Sequence, residues 1–360
     1  MTLRIVHCAD VHLETVFPET RGGAARRHAL ADAFARIVDE ALAREADVLT
    51  IGGDLYEAGR AGPQTARFLF EQFARFGKPV YIAPGNHDPY AHASIYARSD
   101  VPANVRVFNE AAWRAYPLGA GITLFGFGHT PAEPGRPFAH ARFDRGGVQI
   151  ALAHGSDEER CPPNKRATAP FRAAEVRAAG AALLLAGHYH GGYVVDDGGA
   201  PVLAYPGSPE PIKFGENETH GALLVEIEGE HVRVEPLPTA KTRLVELTCA
   251  LDGASNETAA LACVESSLAA YAKNDYVRLR LAGNVEPGTR LDTDLMGERF
   301  AAHIGSLEIV DATVSYDYAT IAREPTVRGH VVADLLARGE GSAAALRYAL
   351  AAFDGTEIAP

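Results

Sequence analysis

Between residues 3 and 83, three short apolar runs alternate with two segments of helical period, and that alternation restricts the chain to few folds. Leu3 to Ala9, Asp47 to Ile51 and Pro79 to Ala83 have the length of buried strands rather than helices. Ala24 to Glu45 places Leu30, Phe34, Ile37, Val38, Ala41 and Leu42 at helical spacing, and Gln64 to Phe76 is a second helical segment. Strand, helix, strand, helix, strand at this spacing predicts right-handed crossovers and a parallel sheet.

Beyond Val105 the runs shorten. Val105 to Phe108, Ile122 to Phe127, Val148 to Ala153 and Ala182 to Ala186 read as strands, with a short helix near Phe171 to Ala179. Tyr193 to Val195, Val202 to Tyr205, Ala222 to Ile227 and His231 to Glu235 read as an antiparallel series with Gly-rich turns. Pro236-Leu237-Pro238 marks a boundary. After it come strand (Arg243 to Ala250), helix (Glu257 to Ala272), strand (Tyr276 to Leu281), helix (Asp294 to His303) and strand (Leu307 to Ser315), enough for a small α+β domain. Thr326 to Phe353 reads as two short helices split by Gly339-Glu340-Gly341. The expected domains are 1–238, 239–322 and a helical tail, 323–360, that could dock a partner. The expected class is mixed α/β and α+β.

Where strands end, polar residues collect. The first ends in Asp10-Val11-His12, the second in Gly52-Gly53-Asp54, and the third in Gly85-Asn86-His87-Asp88. Two later strands end in His154-Gly155-Ser156 and Gly187-His188-Tyr189-His190. Ligands at the carboxyl ends of strands lie in the crevice where α/β sheets place their sites. An Asn oxygen can ligate a metal, an imidazole can carry a proton, and an Asp can hold that imidazole in one tautomer. Taken singly, a strand-end His or a Gly-Asp turn is more often structural. Together, two acids, one amide and four imidazoles (Asp10, Asp54, Asn86, His12, His154, His188, His190) exceed one ion and suit two. Mixed oxygen and nitrogen ligands favour Mn, Fe, Zn or Co over Ca or Mg. Asp54 is the natural bridge. The other histidines, His7 and His129 among them, lack such a setting.

The formal charge of −12 argues against a generally basic nucleic-acid coat. It does not exclude a nuclease, because bound cations add charge that the sequence omits. Cys8, Cys161, Cys249 and Cys263 form no C-x-x-C pair, as expected of thiols in a reducing compartment. With no apolar leader and no apolar run near the ~20 residues of a membrane span, a cytoplasmic protein without membrane association is expected.

Asp10-x-His12, Gly53-Asp54, Gly85-Asn86-His87-Asp88, His154 and Gly187-His188-x-His190 resemble the motif series of the calcineurin-like metallophosphoesterases. The resemblance implies a four-layer fold, a β-sandwich of two sheets flanked by helices. It also implies one metal on Asp10, His12, Asp54 and His190 and another on Asp54, Asn86, His154 and His188. Metal-bound hydroxide would then attack phosphorus in line. His87 would protonate the leaving oxygen or stabilise charge there, and Asp88 would orient His87.

Further stretches narrow the resemblance. Cys8-Ala9-Asp10-Val11-His12-Leu13, Tyr205-Pro206-Gly207-Ser208-Pro209, Phe214-Gly215-Glu216 and Ala169-Pro170-Phe171 resemble SbcD-type DNA repair exonucleases. Tyr276 to Leu281 and Thr326 to Gly329 resemble that group's capping domain and tail. The chain departs from it at Glu57, where Asp is common, and at Glu14, where Gly is common. The implied protein is a two-metal DNA phosphodiesterase, an exonuclease or also an endonuclease, using Mn with Fe, Zn or Co as alternatives. DNA, an SbcC-like ATPase subunit and a second copy of the chain are its implied partners. The alternatives are a phosphoesterase for nucleotides or other small phosphoesters, and a non-catalytic scaffold for an ATPase. Arg160, Lys165 and Arg166, on the loop that begins at His154, are expected to touch substrate. Arg278 and Arg280 alternate onto one strand face, although residues 241–360 carry 11 Lys and Arg against 17 Asp and Glu.

Overall fold

The first apolar run becomes β1 (Leu3–Cys8), which in the computed structural model pairs in parallel with β2 (Val48–Ile51) and antiparallel with β11 (Gly221–Glu228). The structure describes residues 2–17, 23–162, 166–216, 219–286, 289, 291–339 and 342–355. They divide into two compact units, 1–243 and 244–360. With β3 (Val80–Ile82), β4 (Val105–Val107) and β12 (His231–Pro238), the first sheet runs β12-β11-β1-β2-β3-β4. Parallel pairing of β1, β2, β3 and β4 is what the strand–helix alternation predicts.

Side chains of β1 alternate. Val6 and Cys8 face α1 (Gly23–Ala43) and α2 (Pro63–Phe76), while Leu3 and Ile5 face the second sheet. Helix α1 buries Leu30, Phe34, Ile37, Val38 and Ala41, each fully buried side chain contributing roughly 1.5–3 kcal/mol. Leu42, counted in that stripe from spacing, lies off it and is exposed. Pro63 starts α2 at its first turn. Gly77 ends it with φ +69°, its N–H on the Phe73 carbonyl.

The second sheet is built from β5 (Arg114–Gly119), β6 (Ile122–Phe127), β7 (Val148–His154), β8 (Leu183–Gly187), β9 (Tyr193–Asp197) and β10 (Ala200–Tyr205). Its order is β5-β6-β7-β8-β10-β9, with β6, β7, β8 and β10 parallel. Its outer face packs on Val176 of α3 (Ala173–Ala178) and on Phe138, Phe143 and Phe171. Helices, sheet, sheet and helix thus make four layers.

The strands from Tyr193 to Glu235 are not one antiparallel series. The β9–β10 hairpin joins the second sheet, where β10 runs parallel to β8, whereas β11 and β12 join the first beside β1. Pro236-Leu237-Pro238 is the end of β12, an edge strand on which proline's missing N–H is tolerated. Strand β5 escaped the sequence reading because its alternation is weak, with no residue fully buried.

In the second unit, β13 (Arg243–Ala250), β14 (Asp275–Asn284) and β15 (Ser306–Val314) form a sheet in that order. One face packs on α4 (Glu257–Leu268) and α5 (Thr293–Phe300) through Val264, Leu268, Val277, Leu279, Leu281 and Met296. Helices α6 (Tyr318–Ile321), α7 (Val327–Ala337) and α8 (Ala343–Asp354) share a small core of Ile321, Val332, Leu346 and Leu350. Among the described residues no helix is long and apolar enough to cross a membrane.

Candidate metal centre

The carboxyl ends of the two sheets meet because two glycines let them. A Cβ on Gly187, at the end of β8, would stand 2.2 Å from the carbonyl oxygen of Gly52, just past β2. Across this contact His154 Nδ1 lies 2.8 Å from the Gly52 carbonyl, and the His188 N–H donates to both Asp10 oxygens at 3.0 Å. His7 also spans the sheets, with Nδ1 3.0 Å from Thr50 Oγ1 and Nε2 3.1 Å from the Ala186 carbonyl.

The loops that carry the site are strained. Asp10, His12, Glu14, Asp54 and His188 all have positive φ (55°, 51°, 68°, 51° and 116°), a region that non-glycine residues seldom occupy and that concentrates at functional sites. Backbone bonds hold these loops in place, from Asp10 N to Gly53 O (3.0 Å) and from His12 N to Asp54 O (2.9 Å).

The expected ligands converge. Asp10, His12 and His190 offer atoms all within 4.8 Å of one another, and so do Asp10, Asp54 and His154. His12 Nε2 and His190 Nε2 are 3.2 Å apart, and Asn86 Oδ1 lies 3.0 Å from His154 Nε2. Asp54 Oδ2 stands between the two groups, 3.3 Å from His154 Nε2 and 3.8 Å from His12 Nε2. The ring of His188 packs edge-on against that of His154 at 5.2 Å.

Three of the four imidazoles have Nδ1 already engaged: His12 with Glu57 Oε1 (2.9 Å), His190 with Glu216 Oε1 (2.7 Å) and His154 with the Gly52 carbonyl. That arrangement fixes the tautomer and leaves Nε2 free to bind a metal. Asp10, Asp54 and His154 are buried, so the donors are screened from water. Two carboxylates, a carboxamide oxygen and imidazoles of this kind fit two first-row divalent cations.

The buried acids and imidazoles shift one another's protonation. Burial opposes ionisation of Asp54, yet the His154, His12 and His87 imidazoles outweigh it and hold the carboxyl well below its usual range. Burial, aided by the Asp54 charge, raises Asp10. His154, although burial pulls it down, is lifted to about 9 by Asp54 and Asp10. His188 is pushed down to about 3 by burial and by His154.

Asp88 does not touch the His87 ring. Its buried carboxylate accepts the N–H groups of Asp54 (3.0 Å), Leu55 (2.8 Å) and Gly85 (2.7 Å) and the Tyr96 hydroxyl (2.5 Å), so it staples two ligand loops together. His87 is oriented by Glu57 instead, its Nδ1 2.9 Å from Glu57 Oε2. That hydrogen bond raises His87 to about 9. His12, Glu57 and His87 form a third close group, but one already joined by these hydrogen bonds.

Glu57, Glu216 and His129 were missed as site residues. His129 Nε2 lies 2.8 Å from the His154 carbonyl. In sequence Glu57 showed only as a departure from a related pattern, Glu216 only as part of a resemblance motif, and His129 was set aside because it ends no strand motif.

Beside the ligands lies a cleft of about 500 Å³ lined also by His87, Arg160, Arg166, Tyr193 and Lys213. Arg160 and Arg166 line the same cleft as the candidate ligands, Arg166 with Glu133 Oε1 at 3.2 Å. Lys165 lies outside the described residues. Arg278 and Arg280 do share a face, but Arg278 is paired with Glu246 (3.0 Å) and Glu308 (3.1 Å), which lowers the charge available to a phosphate.

The model of the family described as calcineurin-like phosphoesterase matches residues 3–192. The chain is 24% identical over 250 residues to the uncharacterised metallophosphoesterase YhaO of Bacillus subtilis, covering 65% of this chain and 59% of that protein. It is 25% identical over 265 residues to the DNA double-strand break repair protein Mre11 of Methanopyrus kandleri, covering 65% and 57%. The chain therefore spans less than two thirds of the length of these curated relatives. A dimetal phosphatase from Danio rerio aligns at 11% identity over 64% of this chain and 98% of that one, with a TM-score of 0.42.

Proposed function

We propose that this chain, which belongs to the calcineurin-like phosphoesterase family, is a two-metal phosphodiesterase that hydrolyses DNA, of the SbcD type. The observation that carries the two-metal reading is the position of Asp54 Oδ2 between His154 Nε2 (3.3 Å) and His12 Nε2 (3.8 Å). Asp10, His12, Asp54 and His190 would hold one ion, and Asp54, Asn86, His154 and His188 the other. Two divalent cations, Mn in our reading, supply Lewis acidity and water of lowered pKa.

The chain's own residues do the rest. Glu57 turns His87 by its Nδ1 and raises its pKa, favouring the imidazolium that can give a proton to the leaving oxygen. The Asp88 carboxylate holds the Asp54 and Gly85 loops in register, fixing the bridging carboxylate relative to Asn86 and His87. Arg160 along the cleft suits a phosphate backbone, and Arg166 and Lys213 add charge there that Glu133 (3.2 Å) and Glu216 (3.9 Å) partly offset. The likeness to a double-strand break repair protein supports a DNA substrate, and an ATPase partner of the SbcC kind is proposed from the sequence resemblance alone.

The test is the Mn-loaded protein on single-stranded DNA, duplex DNA, mononucleotides and a chromogenic diester. DNA cleavage that falls steeply with salt, beside a shallow dependence for the small diester, is expected, because backbone contacts release counterions. Rapid turnover of nucleotides with DNA left intact would overturn the DNA reading and favour a small-phosphoester enzyme.

A further inference from the structure

A series of aromatic rings runs from the candidate metal ligands to Arg160, whose guanidinium carbon lies over the Tyr193 ring in the cleft. The ring of His188 meets Tyr189 at 5.3 Å, Tyr189 meets Tyr205 at 5.1 Å, and Tyr205 is stacked on Tyr193 at 4.8 Å and 26°. Arg160 closes the series, its Cζ 4.0 Å from the Tyr193 ring centre. Each hydroxyl is tied down: Tyr189 to the Asp157 carbonyl (3.0 Å), Tyr193 to Asp157 Oδ2 (3.2 Å) and Tyr205 to the Gly155 carbonyl (2.6 Å). Tyr205 and Asp157 are buried, so the base of the stack is rigid.

Arg160 itself is exposed, and among the described residues no carboxylate forms an ion pair with it. An arginine used only as a positive charge has no need of such support. A guanidinium laid on Tyr193 keeps its plane fixed, with its N–H donors at the edge and its second face turned away from the ring. Arg160 and Tyr193 both line the cleft that also holds Asp54, Asn86, His188 and His190. What a fixed flat cation beside a phosphoester centre can hold is another flat π system, and bases splayed from a helix stack on guanidinium planes.

We infer that Arg160, held flat by Tyr193, is a stacking platform for one unpaired nucleobase flanking the scissile phosphate, so that the site selects nucleotides already out of a duplex. The inference rests on the DNA-hydrolase reading, and the experiment separates the two.

Turnover is compared on the dinucleotide dTpdT and on two forms of it lacking either the 5′ or the 3′ base. Wild type should prefer dTpdT over one of the abasic forms by roughly tenfold, as base stacking on a side chain commonly contributes. Arg160→Lys keeps the charge without the plane and should bring that ratio close to one, as should Tyr193→Leu, whereas Tyr193→Phe should retain it. Equal rates on all three substrates in wild type would overturn the inference while leaving the hydrolase reading intact. So would an Arg160→Lys protein with the wild-type ratio, which would mark a contact with phosphate alone. Binding of a single-stranded oligonucleotide containing 2-aminopurine, with Ca²⁺ in place of Mn²⁺, gives a readout independent of cleavage. Quenching of its fluorescence by wild type and not by Arg160→Lys supports the platform even if no diester is cleaved, an outcome that would sink the hydrolase reading alone. Equal quenching by both proteins would overturn the platform.

Discussion

Glu57 joins His12 to His87: its Oε1 lies 2.9 Å from His12 Nδ1 and its Oε2 2.9 Å from His87 Nδ1. The metal-ligand candidate and the acid candidate are therefore oriented by a single side chain, three residues after Asp54. Glu57 itself is held down to about 2, hydrogen bonds from His12 and His87 outweighing its partial burial.

Glu57→Ala should weaken metal binding by about 10–100-fold, as loss of a partner that orients a ligand commonly does. It should also move the pH profile. His87 is raised to about 9 by this hydrogen bond, so its acid form persists through neutral pH. Without Glu57 its pKa falls towards the ordinary value of about 6.5, and the alkaline limb of kcat/KM should shift to lower pH. An alkaline limb unmoved in the variant would show that His87 is not the titrating acid.

The candidate ligands stood out because each ends an apolar run, where Asp10, Asp54, Asn86, His154 and His188 have no packing role to explain them. Glu57 was not, since it follows Leu55 and Tyr56 in a loop whose course depends on pairing with residues after β1, as in the Leu13 N–H to Leu55 carbonyl bond. Asp88 misled for a related reason. Adjacency to His87 in sequence suggested contact, but its side chain turns under the loop to collect three backbone N–H groups. The parallel core of the first sheet followed from strand–helix alternation, whereas the parallel pairing in the second sheet and the assignment of the β9–β10 and β11–β12 hairpins to different sheets are long-range choices that local patterning does not encode.

Gly85 has no room for a side chain. A Cβ there would stand 2.2 Å from Asp54 Oδ1 and 2.7 Å from the Asp54 nitrogen. Gly85→Ala should therefore displace Asp54, lower stability by about 1–3 kcal/mol and reduce metal content. Thermal unfolding and elemental analysis together check this, and a variant with full metal content would contradict the proposed bridge.

His7 couples stability to pH. Burial between the sheets lowers its pKa to about 4, below the unfolded value of about 6.5. The unfolded chain thus binds the extra proton first. The stabilisation is complete above pH 6.5 and is lost as pH falls towards 4, up to about 3 kcal/mol. Denaturant unfolding across that range should show the decline, and His7→Asn should flatten it by up to one proton. An unchanged slope would mean that other groups carry the effect.

The helical tail carries exposed apolar side chains, which we propose dock the ATPase partner. Val327, Leu336, Tyr348 and Phe353 are exposed on α7 and α8 while Val332, Leu346 and Leu350 fill the small core. Leu336→Asp combined with Tyr348→Asp should weaken binding to an SbcC-like ATPase by tenfold or more, or roughly 1.4 kcal/mol, without altering metal content. Unchanged affinity in a binding titration would place the partner elsewhere.

The central claim is a pair of ions bridged by Asp54 and served by His87. Elemental analysis of the Mn-loaded protein, run beside turnover of a diester, tests it most directly. Wild type should carry two ions per chain, and Asp54→Ala should lose metal and activity together. His87→Ala should keep both ions yet hydrolyse about 10²–10⁴-fold more slowly. A wild-type protein with a single ion at full activity, or Asp54→Ala retaining both ions, would contradict the account.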